Sequence, residues 1–278
     1  MEFRSFQSSS SSNPANHARH SLVGGPPFTL DSALHMKRYS WAAKEFVRPG
    51  HVVVDLGCGT GYGIPVIYPD GGRLIAVDFD PNVKSLATAF REPNVDFYCE
   101  DVCLAGLAQR IAVTDADVVT SMETIEHLED YFAFLKNAVE LMKPSGTLLI
   151  GTPNRSLTYD KYPDRRHMDS SHVQEFTVIS LSTILGLYFE QVEIWLEYIP
   201  GYWHSPPLVR GDRPKVRRFL KEWLPPAVHR GVARGLRRSS HEALYELEDV
   251  SVTRQEVAPE LSREAFGLLA IARVPKPL

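Results

Sequence analysis

The chain has 278 residues, 44% of them hydrophobic, which suffices for one substantial α/β core with an appendage. A net charge of −4 and a pI near 6.2 exclude a protein that coats nucleic acid generally. No run approaches the ~20 apolar residues of a membrane span. Cys58, Cys99 and Cys103 lack zinc-type pairing and read as reduced thiols.

Residues 1–27, with the serine run Ser8 to Ser12 and the Gly24-Gly25-Pro26-Pro27 cluster, read as a flexible leader. They hold no apolar signal core, so a cytoplasmic protein is expected. A helical pattern through Leu34, Arg38, Tyr39, Ala42, Ala43 and Phe46 stops at Pro49-Gly50. Strands are then expected at Val52 to Leu56, Leu74 to Val77, Val95 to Cys99, Asp117 to Ser121 and Thr147 to Thr152. Helices separate them, among them Pro81 to Phe90 and Tyr131 to Met142. Phe189 to Tyr198 and Phe266 to Val274 read as two further strands. This α/β alternation predicts a seven-stranded, mostly parallel sheet with helices on both faces. The core would comprise residues 28–199 and 265–278, and residues 200–264 would form a helical insert between the last two strands.

The most informative segment is Val52-Val53-Val54-Asp55-Leu56-Gly57-Cys58-Gly59-Thr60-Gly61-Tyr62-Gly63. A buried strand ending in a glycine turn lets backbone approach a ligand closely. The dinucleotide spacing G-x-G-x-x-G fails in both registers, because Tyr62 and Ile64 stand where the third glycine belongs. Asp78 closes the second strand, where a carboxylate can accept both hydrogens of a ribose diol, and Phe79 beside it can pack on a purine. Asp101 follows the third strand. All three motifs fall at the carboxyl ends of successive strands, where open parallel sheets bind ligands.

The D-x-G-x-G-x-G loop and the two later acids resemble class I S-adenosylmethionine (SAM) dependent methyltransferases, which implies a Rossmann-like core. The resemblance implies that Gly57, Gly59 and Gly61 hold the amino-acid end of SAM and that Asp55 serves its ammonium group. It also implies that Asp101 meets the adenine amino group.

A second series comprises Glu123-Thr124-Ile125-Glu126-His127, then Thr152-Pro153-Asn154, then His172-Val173-Gln174-Glu175-Phe176-Thr177. It resembles small-molecule O-methyltransferases such as the ubiquinone-pathway enzymes, and also the Hen1-type RNA 2′-O-methyltransferases. The first resemblance implies that Arg38, a motif glycine, Asp78 and Met122 line the SAM site. The second implies a divalent metal (Mg²⁺, Mn²⁺ or Zn²⁺) on Glu123, Glu126, His127 and His172. In a helix, positions 123, 126 and 127 would share one face, consistent with metal ligation closed by His172. Without metal, His127 alone can act as general base, because its unperturbed pKa lies near neutrality. Both routes are open at this stage, with His127 and His172 as the catalytic candidates. A base beside the acceptor favours an oxygen nucleophile, whose proton must be removed.

Within Arg210 to Arg238, ten Lys/Arg face only Asp212 and Glu222, a local charge of +8 that leaves −12 elsewhere. Val216, Phe219, Leu220, Trp223 and Leu224 form an apolar helical stripe, so two basic amphipathic helices are expected. A lid over the acceptor is the favoured reading, with Tyr202, Trp203 and His204 at its hinge. An RNA-tracking patch and a membrane or dimer face are the alternatives. Tyr159, Tyr162, Arg165, Arg166 and His167 are candidate acceptor contacts. The expected activity is SAM-dependent O-methylation of a small hydroxyl acceptor, an anionic one being an option that the basic stretch leaves open. RNA is the less favoured substrate, a non-catalytic SAM-binding scaffold the weakest reading, and an oligomer is left open.

Overall fold

Val53 and Val54 are both fully buried, yet they belong to different cores. Side chains alternate along a strand, so β1 (Val52–Leu56) sends Val53 to one face of the sheet and Val54 and Leu56 to the other. β2 (Arg73–Asp78) does the same with Leu74 and Ala76 against Ile75 and Val77. Both faces therefore need cover, which explains the near-continuous apolar runs.

The computed structural model describes residues 30–86, 93–161, 167, 169–202, 247–256 and 258–277. The expected leader, Tyr162, Arg165, Arg166, Trp203, His204 and the basic Arg210–Arg238 stretch lie outside these residues. β3 (Val95–Cys99), β4 (Ala116–Met122), β5 (Met142–Pro153), β6 (Phe189–Tyr198), β7 (Ser251–Arg254) and β8 (Gly267–Pro275) complete one sheet in the order β3-β2-β1-β4-β5-β8-β6-β7. The β3-to-β5 half is parallel and the β5-to-β7 half antiparallel.

This is the expected mostly parallel α/β sheet, with eight strands rather than seven. The additional strand, β7, falls inside residues 200–264, where helices alone were expected. It is only four residues long, too short to show a period, and it pairs with the outer edge of β6.

Helix α1 (Leu30–Phe46) lies on the Val53 face, where Tyr39, Trp41 and Ala42 join the core with Ile64 and Ile67 of the short helix α2 (Ile64–Ile67). α3 (Val83–Leu86) follows β2. α4 (Leu107–Ile111) and α5 (Tyr131–Leu141) cover the other face through Leu107, Ile111, Phe134 and Leu135. α5 is capped by Asp130, whose Oδ1 accepts the Ala133 N–H at 2.9 Å. α6 (Arg155–Lys161) follows β5, and α7 (Val178–Leu185) begins with a reciprocal Thr177–Ser180 capping box. Among the described residues no helix is long and apolar enough to cross a membrane.

The strand order reverses between β1 and β4, and ligand crevices in such sheets open at this point beyond the carboxyl ends. The glycine loop leaves β1 there, and Glu123 to His127 leave β4 beside it.

Candidate active site

The glycine loop has left-handed backbone at Gly57 (φ 80°), Gly59 (φ 55°) and Gly61 (φ 76°), which side chains other than glycine strain to adopt. Gly57 is closed in: a Cβ there would lie 2.7 Å from Thr124 Cγ2. Gly59 faces open space, with nothing within 4 Å of such a Cβ. The loop is stitched to β2 by the Gly57 N–H on the Val77 carbonyl at 2.8 Å. Asp78 adds to this, its Oδ2 accepting the Gly59 N–H at 2.8 Å and its Oδ1 the Asp80 N–H at 2.9 Å. A carboxylate has about four acceptor sites, so Asp78 keeps capacity for a diol. Phe79 beside it is 79% exposed, an apolar ring presented at the strand ends. Asp101 is exposed and closes its own turn, accepting the Cys103 N–H at 2.8 Å. An open shelf above Gly59, a partly committed acid and an exposed aromatic ring fit a nucleoside.

Three further expected cofactor residues, Asp55, Arg38 and Met122, are buried. Asp55 is fully buried, not open to an ammonium group; its Oδ1 accepts the Thr120 hydroxyl at 2.8 Å and its Oδ2 that of Tyr39 at 3.2 Å. Burial pushes its carboxyl up to about 7 although both hydroxyls pull it down. Arg38 is 3% exposed and is held between two carboxylates, Glu123 and Glu197, the latter with Nε to Oε2 at 2.9 Å. Met122 is buried, in contact range of Gly151, and contributes apolar wall.

The E-x-x-E-H segment does not form the expected single helix. Glu123 has φ 54°, and only Ile125–His127 make a turn, of 3₁₀ type. Glu123 is thereby directed to Arg38, with His35 Nε2 at 3.6 Å, away from the other three proposed ligands. Burial alone would raise the Glu123 pKa, but the Arg38 charge outweighs it and holds the group well below the carboxylate range.

Glu126, His127 and His172 do come together, one ligand atom of each lying within 4.8 Å of the others. The two imidazole centroids are 4.9 Å apart, edge to face. His127 Nδ1 is 3.2 Å from the Ser171 carbonyl and His172 Nδ1 is 2.8 Å from Glu175 Oε1. A carbonyl only accepts and a carboxylate accepts, so Nδ1 is the donor in each contact, and in the neutral form of either ring the lone pair lies on Nε2. Desolvation lowers the His127 pKa, the Ser171 carbonyl offsets this in part, and nearby His172 adds to the lowering, which keeps the ring neutral.

Glu126 is fully buried. Its Oε2 accepts the Thr152 hydroxyl at 2.9 Å, and its Oε1 has no hydrogen-bond partner among the described residues. Burial first and the Glu123 charge second raise its pKa well above the ordinary value. An orphaned buried carboxylate oxygen in a cluster with two imidazoles is a donor set that fits a divalent metal.

The T-P-N and H-x-x-E-F-T segments brace the cluster. Thr152 holds Glu126. Asn154 Nδ2 donates to the Ser262 and Ala265 carbonyls at 2.7 and 2.9 Å. The Val173 and Gln174 N–H groups both donate to the Glu126 carbonyl, at 2.9 and 3.1 Å, which docks His172 beside it. Glu197 and His35 carried no local signal, since their partners are distant in sequence. Of the acceptor candidates, Tyr159 is 71% exposed, His167 is partly buried, and Tyr202 is buried edge-on against Phe266.

A family model described as a methyltransferase domain matches residues 36–188. A Mycolicibacterium smegmatis protein named "Probable S-adenosylmethionine-dependent methyltransferase/" is 30% identical over 59% of this chain and 59% of its own. The ubiquinone biosynthesis O-methyltransferase of Coxiella burnetii is 30% identical over 43% of this chain and 50% of its own. The chain thus spans less than two thirds of these curated relatives. Two solved structures share the fold. A SAM-dependent methyltransferase from Archaeoglobus fulgidus has TM-score 0.50 at 19% identity, covering 88% and 92% of the two chains. A phosphoethanolamine N-methyltransferase from Haemonchus contortus has TM-score 0.55 at 15% identity, covering 99% and 61%. The chain belongs to the class I SAM-dependent methyltransferases.

Proposed function

We propose that this methyltransferase acts on a hydroxyl group of a small metabolite, sugar or natural product. The observation that carries this is the pair His127 and His172, edge to face beyond the carboxyl end of β4 and each with Nδ1 against an acceptor, with His127 held toward its neutral form by burial. An alcohol must lose its proton as it attacks, and a neutral imidazole is the side chain suited to take it at neutral pH. The resemblance to a ubiquinone biosynthesis O-methyltransferase supports an oxygen nucleophile.

SAM, when bound, supplies the electrophilic methyl group. The chain's own residues do the rest. Gly57 to Gly61 offer backbone at close approach, Asp78 offers acceptor capacity for a diol, and Phe79 offers a ring for stacking. His127 takes the acceptor's proton on Nε2. Positioning provides most of the rate in such a displacement, so a rigid mount for these groups matters more than covalent help.

A second reading, metal-assisted transfer as in the Hen1-type RNA enzymes that the motif resembles, is favoured by the orphaned Glu126 Oε1. Glu126, His127 and His172 would hold the ion, which would lower the pKa of a bound hydroxyl. The test is methyl gain by mass spectrometry on a panel of hydroxylated acceptors and on RNA, with His127→Ala and His172→Ala, each with and without chelator. Loss in both variants plus chelator sensitivity supports metal, and loss in His127→Ala alone supports the base. Full activity in both variants rejects both routes.

A further inference from the structure

The Glu175 side chain is completely enclosed although the residue as a whole is only partly buried, and its two oxygens serve different neighbours. Oε1 lies 2.8 Å from His172 Nδ1. Oε2 accepts the Thr158 hydroxyl at 2.8 Å, and Arg155 Nη1 stands 3.8 Å from the same oxygen. The surrounding backbone is fastened by other means. Val173 and Gln174 donate to the Glu126 carbonyl, the Arg155 N–H donates to the Phe176 carbonyl at 2.8 Å, and Asn154 bridges to Phe176. The segment thus has backbone anchors of its own, and a buried carboxylate, costly to place there, needs a further reason. One such reason is the ring it touches, beside its contacts with Thr158 and Arg155.

We propose that Glu175 is a positioning residue that fixes the His172 proton on Nδ1 and so keeps the Nε2 lone pair available to the Glu126–His127 cluster. The proposal deepens, and rests on, the reading of His172 as part of the working site. It predicts a specific consequence of the isosteric change Glu175→Gln. Thr158 and Arg155 both sit on the Oε2 side and retain the amide oxygen there. The amide nitrogen then faces Nδ1 and donates to it, which drives the ring to the Nε2–H form and removes the lone pair from the cluster.

The tautomer is read directly by long-range ¹H–¹⁵N correlation on the labelled full chain, at a fixed pH where the rings are neutral. Wild type is expected to show His172 as Nδ1–H, E175Q as Nε2–H, and E175D as Nδ1–H again. Co²⁺ binding, followed by its visible absorption, should weaken about 10- to 100-fold in E175Q. Binding of S-adenosylhomocysteine should stay within about twofold of wild type, the level at which distant changes leave a site untouched. Nε2–H in the wild type overturns the proposal without recourse to any variant. An E175Q chain that binds S-adenosylhomocysteine normally yet keeps Nδ1–H overturns it too, as does Co²⁺ affinity lost without a change of tautomer. Failure of wild type to bind S-adenosylhomocysteine would instead count against the methyl-transfer reading, and the tautomer result would stand apart from it.

Discussion

Asp78 accepts the Gly59 N–H at 2.8 Å, so the acid expected to meet a ribose first holds the loop that would carry the rest of the cofactor. The interaction ties the end of β2 to the turn after β1 and fixes the left-handed Gly59. Asp78→Ala leaves that N–H and the Asp80 N–H without their acceptor, a loss of about 1–3 kcal/mol. Binding of S-adenosylhomocysteine by calorimetry should weaken by roughly tenfold or more, at ~1.4 kcal/mol per decade. Asp78→Asn keeps one acceptor and should recover most of the melting temperature but little of the affinity. Wild-type affinity in Asp78→Ala would separate the loop from ligand binding.

Gly57 and Gly59 differ in what surrounds them, and alanine should tell them apart. Both have positive φ, so each substitution costs ~1–2 kcal/mol of backbone strain. At Gly57 the new methyl also meets the Thr124 side chain, which is set by the turn after β4. Gly57→Ala should therefore unfold at clearly lower denaturant than Gly59→Ala, and Thr124→Gly should recover part of the difference. Equal midpoints for the two alanine variants would show that the turn yields freely.

Most of the sheet was legible because β1 and β2 are near-continuous apolar runs of strand length, and β3 is a short aromatic and β-branched stretch between helical periods. The order of motifs along the chain located the carboxyl-end crevice for the same reason. β7 escaped because four residues cannot display alternation, and its pairing with β6 is set by tertiary contact. At Glu123 the spacing of E-x-x-E-H suggested one helical face, but the positive φ that breaks the helix is imposed by long-range partners. Its N–H donates to the Gly151 carbonyl and its carboxylate pairs with Arg38 of α1, 85 residues away. Local sequence records neither contact. Asp55 shows the same limit, since its Tyr39 and Thr120 partners come from α1 and β4.

Arg38 holds a buried charge balance that its removal should expose. Glu123 and Glu197 both rely on it, and Glu197, fully buried on β6, has its pKa raised by burial despite the Arg38 charge. Arg38→Met would leave two largely buried carboxylates beside each other without their shared guanidinium, at a cost of about 3–5 kcal/mol. In a chain of this size that lowers the melting temperature by roughly 6–20 °C, at ~2–4 °C per kcal/mol. Adding Glu123→Gln and Glu197→Gln to Arg38→Met should restore much of the loss, because the triple variant buries no net charge. Independent, additive losses in the combined variant would deny the three residues a shared role.

Asp55 should give the fold a pH dependence opposite to ordinary acid denaturation. Its folded pKa is about 7, against ~3.9 in an unfolded chain. Between these values the native state keeps a proton that the unfolded state has released, so stability falls as pH rises. The contribution is fully present below about pH 4 and is lost as pH passes 7, amounting to about 4 kcal/mol over the span. Glu123, held low by Arg38, works the other way: its contribution is present above ~4.5 and is lost as pH falls further, so the two occupy different windows. Asp55→Asn retains an acceptor for Thr120 and removes the titration. Melting curves from pH 5 to 8 should show wild type losing stability relative to Asp55→Asn as pH increases. Parallel curves over that range would mean that Asp55 is already ionised in the folded chain, with its charge satisfied by the Thr120 and Tyr39 hydroxyls alone.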